Sequence, residues 1–447
     1  MEVKLNLLLY KSSIVMAALS SSRKIFLKSD VKKRLSYLFG DKKSIDCDTF
    51  KGHEEHISKF INCILKKPLL SERIFNNYSE EGKGNFGTVI KSDITIEELK
   101  ENYTVVLKDN VNHIEDINEI FINQVRINPE IIFNNNPNFP ILISYILCHP
   151  IPSFNFDKLC QDSIVDIEKY TIDELTQLLK RNVIKLYGIY EYINGKTLLR
   201  YISTIKFMRM TDIEKWNFLK SVLIQVFSSL QSLTNSGNYT HYDLHLGNIM
   251  ISEKPLNYAY TLTHDSIVKV KDSFRCFIID QGLSNIEYEG DIFMYENNSL
   301  NRPFLHSFDI FKLITKLYIA LATDNISINS LYCKKLRSLL KILFNDPTNP
   351  DIDFVMSYIT SNPNSKNGDV TLYYNSLIMK NEKDKAICEP IYQAILEMTY
   401  NDLVQTLLIE KDILDISKEE NISFQAFQVP SEKRERKPIP IIIKGRK

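Results

Sequence analysis

The chain has 447 residues, 44% hydrophobic and 25% charged, which is long enough for two or three lobes with substantial cores. Its 55 basic and 55 acidic side chains balance, which argues against an overall field that recruits nucleic acid or an anionic membrane. Seven cysteines without a C-x-x-C pair indicate reduced thiols in a cytoplasmic setting and argue against a cysteine-ligated zinc site.

Residues 1–74 have a mixed composition and are predicted to form an N-terminal extension with some helix. Their start resembles a signal peptide only faintly, because Lys11 interrupts the apolar stretch and the leading charge is weak. No apolar run in the chain is long enough to cross a bilayer, so we expect no membrane span.

From residue 75 onward the sequence is typical of β-strands, with runs rich in β-branched and aromatic residues. The predicted strands lie within residues 87–94, 103–109, 140–148 and 183–193. A polar stretch at 149–182 separates the last two strands, and we predict an insertion there with a short helix at 171–181. Residues 75–193 are therefore predicted to form a small, strand-rich lobe.

The first strands contain a glycine-rich motif, EGKGNFGTV, at residues 81–89. Glycines let a hairpin backbone approach phosphates where a Cβ would obstruct it. A dinucleotide fold shares this G-x-G-x-x-G spacing, but strand on both sides and no helix directly after it favour a phosphate-covering hairpin. A tight hairpin without a ligand is the alternative. The predicted nucleotide contacts are Glu81, Gly82, Lys83, Gly84, Asn85, Phe86, Gly87, Thr88 and Val89.

Lys108 ends an apolar strand 26 positions after Gly82. A lysine at this spacing can turn inward toward the α- and β-phosphates of a nucleotide, and it then needs a carboxylate to hold it. Glu119 on the next predicted helix is preferred to Glu115, because apolar residues follow it and place it at the inner edge of that helix. A solvated lysine and a solvated helix acid are the alternatives.

After residue 195 the apolar residues recur with helical spacing. Thr211 and Glu214 form a predicted capping box at the start of a long helix, and Gly237 marks its end. A second helix is predicted at 307–322. A strand-rich small lobe followed by a helix-rich large lobe predicts an α+β fold with a cleft between the lobes.

The motif HYDLHLGN follows the long helix and places Asp243 five residues before Asn248. In phosphoryl transfer a carboxylate can accept the proton of the attacking hydroxyl, while an amide oxygen binds a magnesium ion. Asp280 follows an apolar strand and could supply a second, metal-binding carboxylate, although such a position is often a plain turn. Zinc binding by His241 and His245 is disfavoured, because the loop lacks the glutamate of an H-E-x-x-H motif.

In this serial order the motifs resemble those of eukaryotic-type protein kinases over residues 75–345, with similarity to divergent kinases of large cytoplasmic DNA viruses such as iridoviruses. The resemblance implies a bilobal kinase fold, with ATP as the cofactor and Mg²⁺, or Mn²⁺ in its place, as the metal. It implies roles for the following residues: Asp243 as catalytic base, Lys108 on the phosphates and paired with Glu119, Asn248 and Asp280 on the metal, Glu191 and Tyr192 as backbone contacts for adenine, Tyr190 as gatekeeper, and Asp309 supporting the catalytic loop.

The resemblance also implies domain boundaries. The small lobe would span 75–193, the large lobe 194–430, and a basic tail 431–447. The expected partners are protein substrates and ATP, with at most weak contacts of the tail to nucleic acid. A viral protein of this kind would lie in the host cytoplasm or the virion.

Several features depart from the family pattern. Tyr242 stands where the family has the arginine that grips an activation-loop phosphate, and His245 takes the position of the catalytic-loop lysine of serine/threonine kinases. Gln281 replaces the phenylalanine of D-F-G, no A-P-E motif occurs between 283 and 309, and the stretch 249–279 is unusually long. These departures predict little dependence on activation-loop phosphorylation. His245 also weakens the assignment of serine and threonine as acceptors.

Two alternatives to a protein kinase stay open. The pattern H-x-D-L-H-x-x-N is also similar to small-molecule kinases of the aminoglycoside or choline type, although these usually lack the complete glycine hairpin. A pseudokinase that acts as a binding scaffold is the alternative from a different class. The lysine, the glutamate, both aspartates and the asparagine are all present, which favours an enzyme.

Overall fold

The computed structural model describes residues 75–84, 87–96, 101–110, 113–148, 169–263, 266–295, 303–322, 327, 329–344, 397–409 and 425–428. The predicted N-terminal extension (1–74), residues 149–168 of the predicted insertion, and the predicted basic tail (431–447) lie outside the described residues. Asn85 and Phe86 of the glycine-rich motif also lie outside them.

The N-terminal part of the molecule is a five-stranded antiparallel sheet. Its strands are β1 (Phe75–Gly84), β2 (Gly87–Ile96), β3 (Glu101–Asn110), β4 (Leu142–Cys148) and β5 (Lys185–Glu191), in the order β1-β2-β3-β5-β4. Ile90, Val105, Leu107 and Ile189 are buried in the hydrophobic core. The four strands predicted from runs of β-branched and aromatic residues are confirmed as β2, β3, β4 and β5.

Helices pack beside this sheet. Helix α1 (His113–Ile122) contacts β3 and β5, and it continues through a π-helical turn (Asn123–Ile127) into α2 (Asn128–Asn134). The short helix predicted at 171–181 is confirmed as α3 (Ile172–Lys180), which begins at a capping box formed by Thr171 and Glu174.

The second part of the molecule is mainly helical. Its helices are α4 (Leu198–Ile202), α5 (Ile205–Met208), α6 (Asp212–Asn235), α7 (His306–Leu321), α8 (Leu331–Phe344) and α9 (Tyr400–Ile409). The capping box of Thr211 and Glu214 is present at the start of α6, as predicted. The helix ends just before Gly237, whose φ of +138° suits a glycine. Helix α7 confirms the second predicted helix.

Short strands interrupt the helical part. The strand expected before Asp280 is present, and helical spacing after residue 195 did not predict the others. They are β6 (Lys196–Thr197), β7 (Tyr239–Thr240), β8 (Ile249–Ser252), β9 (Leu256–Thr263), β10 (Ser266–Asp272), β11 (Arg275–Ile278), β12 (Asn285–Tyr288), β13 (Asp291–Phe293) and β14 (Gln425–Gln428). The long stretch at 249–279 is therefore a β-structure. Strand β8 at its start pairs with β11 at its end. The antiparallel pair β9–β10 lies between β8 and β11 in the sequence.

Strands dominate the N-terminal region and helices the later part, which confirms the predicted α+β class and is consistent with a bilobal kinase-like fold. Helix α6 is central to the later part: Trp216, Leu223 and Leu230 are buried along its length, and α8, α9 and β9 pack on it. Among the helices in the described ranges, none has the length and apolar character to cross a bilayer.

Candidate active site

The ammonium group of Lys108 joins two carboxylates at the boundary between the sheet and the helical part. Lys108 Nζ on β3 lies 2.6 Å from Glu119 Oε2 on α1 and 2.7 Å from Asp280 Oδ1, 172 residues further along the chain. The Glu119 side chain is only 4% exposed and that of Asp280 is 31% exposed. The lysine is therefore anchored on its buried side, while Asp280 faces partly to solvent.

The charge of Lys108 is stabilised by these partners. Burial alone would lower the pKa of Lys108, because desolvation disfavours the ammonium form. The carboxylates of Asp280 and Glu119 outweigh that cost and raise the pKa of Lys108 above its usual range. A fixed positive charge therefore stands at the position predicted to face nucleotide phosphates.

Glu115, the other candidate partner of Lys108, has a different contact. Its Oε1 accepts a hydrogen bond of 2.9 Å from the hydroxyl of Tyr295. Asn118, next to Glu119 on α1, donates to the carbonyl groups of Gly282 (2.7 Å) and Ser284 (3.0 Å). Helix α1 thus holds Lys108 through Glu119 and the segment after Asp280 through its neighbours.

Asp243 and Asn248 lie together in the loop between β7 and β8. Asn248 Nδ2 donates to the backbone carbonyl of Asp243 at 3.0 Å and to its Oδ2 at 3.2 Å. The loop connects to the strand before Asp280, because the backbone N–H of Ile279 donates to the carbonyl of Asn248 at 3.0 Å. The structure therefore brings Asp243, Asn248 and Asp280 into one region.

Two basic side chains flank the Asp243 carboxylate. Lys312 Nζ on α7 lies 2.6 Å from Oδ1, and His245 Nε2 lies 3.6 Å from Oδ2. Burial would raise the pKa of Asp243, but the contacts with His245 and Lys312 outweigh it and hold this pKa below the usual range of an aspartate. Asp243 is therefore a carboxylate at neutral pH.

His241 supports the loop from within the core. Its Nδ1 accepts from the backbone N–H of Asp243 at 3.3 Å, so Nε2 carries the proton and donates to the carbonyl of Ile279 at 3.2 Å. Burial lowers the pKa of His241 to about 4, which keeps the ring neutral. Both ring nitrogens are thus used for structure.

Asp309 of α7 binds the backbone on which Asp243 lies. Its carboxylate, fully buried, accepts from the N–H groups of His241 (2.8 Å) and Tyr242 (2.9 Å) and from the hydroxyl of Tyr400 on α9 (2.6 Å). Burial raises the pKa of Asp309 to about 6, although these hydrogen bonds oppose the shift. Tyr242 has a φ of +60°, uncommon for a residue with a Cβ, and these bonds hold it there.

The described residues of the glycine-rich motif lie at the end of β1 and the start of β2. Its backbone pairs Gly82 with Val89, Lys83 with Thr88, and Gly84 with Gly87 in an antiparallel hairpin. The hairpin expected from the sequence is present in the backbone, and β3 continues the sheet so that Val89 pairs with Lys108. The contacts of this motif with a nucleotide stay a prediction.

The predicted adenine contacts lie at the end of β5. The backbone N–H of Glu191 donates to the carbonyl of Ile141 at 2.9 Å, so this N–H already has an acceptor, and adenine contacts at Glu191 and Tyr192 stay a prediction. Tyr190, the predicted gatekeeper, is buried, and its hydroxyl is hydrogen-bonded to Glu119. The absence of a side chain at Gly188 leaves room for this ring, because a Cβ added there would lie 2.5 Å from Tyr190 Cε2.

Gln281 occupies the position at which the family pattern has phenylalanine. It is buried, and its Oε1 accepts from the hydroxyl of Tyr239 and from Ser284 Oγ at 3.3 Å. Ser284 Oγ in turn donates to the carbonyl of His241 at 3.2 Å. A polar network therefore fills this position and satisfies the side-chain carbonyl of Gln281.

The sequence did not predict three residues that organise the site: Lys312, Tyr400 and Arg126. Arg126 in the π-helical turn donates to Ser236 Oγ at 2.6 Å and to the carbonyl of Glu287 at 2.5 Å. Lys312 had a detectable signal, because it follows Asp309 by three residues and so lies on the same face of α7. The other two pair with partners far away in the chain, for which local spacing carries no signal.

The oxygen atoms at this site suit a magnesium ion. Asp280 provides a carboxylate and Asn248 an amide oxygen, which are the hard ligands that Mg²⁺ prefers. In the ranges that the structure describes, no group of three or more His, Cys, Asp or Glu side chains could enclose a metal. Mg²⁺ that binds through one or two protein ligands and substrate phosphates needs no such group.

The chain is similar to two curated proteins that are named as kinases. It is 26% identical over 169 residues to a probable kinase of Invertebrate iridescent virus 3. The matched region covers 37% of this chain and 30% of the viral protein. It is 27% identical over 150 residues to a probable serine/threonine-protein kinase of Dictyostelium discoideum. Here the matched region covers 32% of this chain and 12% of that protein. The matches thus span less than a third of either relative. No protein-family profile matches the chain.

The fold and the two relatives support a kinase-like superfamily, which confirms the resemblance predicted from the motifs. Both relatives are named as probable kinases, and kinases as a class use ATP and a divalent metal ion.

Proposed function

We propose that the chain is an ATP-dependent protein kinase that transfers the γ-phosphate of ATP to a serine or threonine hydroxyl of a protein. The observation that carries this proposal is the bridge from Lys108 to Glu119 and Asp280 beside the loop that holds Asp243 and Asn248. Phosphoryl transfer requires a held cation for the phosphates, a carboxylate for the hydroxyl and oxygen ligands for a metal. All three are present within one region.

Each of these residues has a distinct role in the proposal. Lys108, held by Glu119, would contact the α- and β-phosphates. Asn248 and Asp280 would bind Mg²⁺, which supplies charge neutralisation at the phosphate oxygens. Asp243 would accept the proton of the acceptor hydroxyl as its oxygen bonds to the γ-phosphorus. The bond from that phosphorus to the β–γ bridging oxygen then breaks, and ADP leaves.

The nucleotide would lie under the glycine-rich hairpin. Residues 81–89 would cover the phosphates with their backbone, because glycines allow close approach. The backbone at Glu191 and Tyr192 would contact adenine. Mn²⁺ would serve in place of Mg²⁺, since both favour oxygen ligands.

The proposal includes little dependence on activation-loop phosphorylation. The segment after Asp280 is held by unmodified residues: Asn118 binds its backbone, Tyr295 binds Glu115, and Arg126 binds the carbonyl of Glu287. Tyr242 supplies no cation for a phosphate, because a phenol carries no positive charge, and its ring is buried beside that of Phe308. The proposed setting is the host cytoplasm or a virion, with protein substrates as partners.

Radiolabelled ATP tests this function. The full chain is incubated with Mg²⁺ or Mn²⁺ and with casein, a histone mixture, kanamycin or choline as acceptors. We expect label in protein, and we expect Asp243→Asn to lower kcat by about 10²–10⁴-fold, the usual contribution of a general base. Asp173→Asn, an exposed carboxylate on α3, is the matched control and should leave transfer unchanged.

Other outcomes would overturn the proposal. Label in kanamycin or choline alone would indicate a small-molecule kinase. No transfer with either metal, while ATP still binds, would indicate a pseudokinase scaffold. Full transfer by Asp243→Asn would remove the assignment of the base. Phosphoamino-acid analysis of the labelled protein distinguishes serine and threonine from tyrosine.

A further inference from the structure

Lys312 is the closest cation to the Asp243 carboxylate in the described part of the chain. Its Nζ lies 2.6 Å from Asp243 Oδ1 and 3.2 Å from the backbone carbonyl of Tyr242. The Lys312 side chain is only 12% exposed, so it approaches Asp243 from the protein interior. A lysine with four flexible torsions takes such a position at an entropic cost, which a specific interaction must offset.

Helix α7 contacts the loop with two residues of opposite charge. Asp309 accepts from the backbone N–H groups of His241 and Tyr242, and Lys312, three residues later on the same helix face, donates to the carbonyl of Tyr242. Both polar groups of the Tyr242 peptide backbone are therefore held by one helix. The left-handed backbone of Tyr242 and the direction of the next side chain, Asp243, depend on this helix.

The two oxygens of Asp243 have different anchors. Asn248 donates to Oδ2 at 3.2 Å and Lys312 to Oδ1 at 2.6 Å, whereas His245 stands 3.6 Å from Oδ2 and accepts from the N–H of Gly247 with its Nδ1. One donor on each oxygen fixes the rotation of the carboxylate plane. A carboxylate has about four lone-pair positions, so two anchors leave capacity for an acceptor hydroxyl.

We propose that Lys312 is a positioning residue of the phosphoryl-transfer site, which acts through Asp243 by holding its carboxylate in the orientation that receives the acceptor hydroxyl. The inference rests on the function proposed above. It assigns this task to a side chain of α7, while the neighbouring loop residue His245 is farther from the carboxylate. Removal of Lys312 should therefore change the rate of transfer more than the binding of ATP.

A double-mutant cycle tests this proposal in the full chain, with ATP, Mg²⁺ and casein. The variants are Lys312→Met, Lys312→Arg, Asp243→Asn and the double variant Asp243→Asn/Lys312→Met. Lys316→Met, one turn further along α7 with comparable burial, is the matched control. Thermal melting and the stoichiometry of ATP binding are measured for every variant, so that kcat refers to folded protein only.

We expect Lys312→Met to lower kcat by about 10²-fold, the usual effect of a misplaced catalytic group, with KM for ATP unchanged. Lys312→Arg should recover most of this loss, because a cation returns to Oδ1. In the Asp243→Asn background the same Lys312→Met change should have little further effect, since the group on which Lys312 acts is already lost. Lys316→Met should behave like the wild type.

The outcomes separate the two proposals. A loss on Lys312→Met that is equally large in the Asp243→Asn background would show that Lys312 does not act through Asp243, and it would overturn the inference. The inference would also be overturned if Lys312→Met had the same kcat as Lys316→Met while Asp243→Asn was inactive. In that case the proposed function would stand. Full activity of Asp243→Asn, or no transfer by the wild type, would overturn the proposed function and the inference together.

Discussion

At the scale of single residues, the site is built from two lysine–carboxylate contacts with different surroundings. Lys108 is held by Glu119, whose side chain is 4% exposed, whereas Lys312 holds Asp243, whose side chain is 24% exposed. A buried ion pair is costly to break, because the charge left behind has lost its hydration. The first contact therefore fixes a charge in place, and the second holds a carboxylate that is partly open to solvent.

The contact of Glu119 with Lys108 predicts a loss of nucleotide binding on neutralisation. Glu119→Gln keeps the shape but removes the charge, and hydrogen bonds to charged groups contribute about 1.5–3 kcal/mol. We expect ATP affinity, measured by titration calorimetry, to fall by roughly 10- to 100-fold, since 1.4 kcal/mol is a factor of ten. The control is Glu253→Gln, whose exposed carboxylate pairs with Lys206 away from the site. Equal affinities of the two variants would contradict the prediction.

Two buried histidines predict that stability falls in acid. Burial lowers the pKa of His241 and of His306 to about 4, whereas histidines in the unfolded chain titrate near 6.5. As pH falls from about 6.5 to 4, the unfolded chain binds protons that the folded chain does not, so the free energy of unfolding decreases. Asp309, with its pKa raised to about 6, contributes with the opposite sign in the same window.

The replacement His306→Phe isolates one of these contributions. It keeps an aromatic ring beside Tyr400, where the ring centroids are 4.5 Å apart. Urea denaturation between pH 4.5 and 6 measures the slope of the unfolding free energy against pH. We expect this slope to become less positive by about 1.4 kcal/mol per pH unit, which is the contribution of one proton. An unchanged slope would show that His306 binds protons equally in the folded and unfolded protein, and it would contradict the lowered pKa.

At the scale of elements, α7 and α9 determine the shape of the loop that holds Asp243. Helix α7 supplies Asp309 and Lys312, and α9 supplies the hydroxyl of Tyr400 to Asp309. Helix α9 begins 91 residues after Asp309 in the chain and packs on α6 and α7. The loop that holds Asp243 therefore depends on a helix near the end of the described residues.

The hydroxyl of Tyr400 predicts a joint effect on stability and rate. Tyr400→Phe removes a hydrogen bond to a buried carboxylate, so we expect a loss of about 1.5–3 kcal/mol in unfolding free energy and a lower kcat. Tyr258→Phe removes a hydroxyl that donates to the carbonyl of Asn134, remote from the loop, and should lower stability only. Chemical denaturation and steady-state transfer to casein measure both quantities. An unchanged kcat in Tyr400→Phe would contradict a role of α9 in loop geometry.

The sequence predicted local features of these elements well and their distant contacts poorly. The capping box of Thr211 and Glu214 and the strand that carries Lys108 follow from neighbouring residues, and the structure has both, although the strand continues past Lys108 to Asn110. The contact of Tyr400 with Asp309 depends on packing between elements, which no local spacing encodes. Strands β9 and β10 carry a local signal that was not among the predictions, because buried and exposed residues alternate along both of them.

At the scale of the whole molecule, α1 couples the sheet to the helical part. Its Glu119 holds Lys108 of the sheet, while Asn118 and Glu115 bind the segment after Asp280. Arg126 extends this connection to Glu287 and to Ser236 beyond the end of α6. A displacement of the segment after Asp280 would thus alter the contacts that position Lys108.

These contacts predict activity without activation by phosphorylation. A preparation treated with a broad-specificity phosphatase, which is then removed, should keep most of its kcat, because unmodified side chains already hold the segment. Mass spectrometry verifies that the phosphate is gone. As a positive comparison, Arg126→Met should lower kcat by about 10²-fold through misplacement of the site. Loss of most activity on phosphatase treatment would contradict the prediction.

The ladder between β8 and β11 has a practical consequence for protein engineering. Ile249 pairs with Ile278, so the positions of Asn248 and Asp280 are set by this short ladder and not by the number of residues between them. Lengthening a connection beyond a formed ladder adds little entropic cost. A peptide tag or a fluorescent domain inserted between Thr263 and Ser266 should therefore leave Asn248 and Asp280 where they are. This connection is thus a suitable place to label the protein without changing its termini.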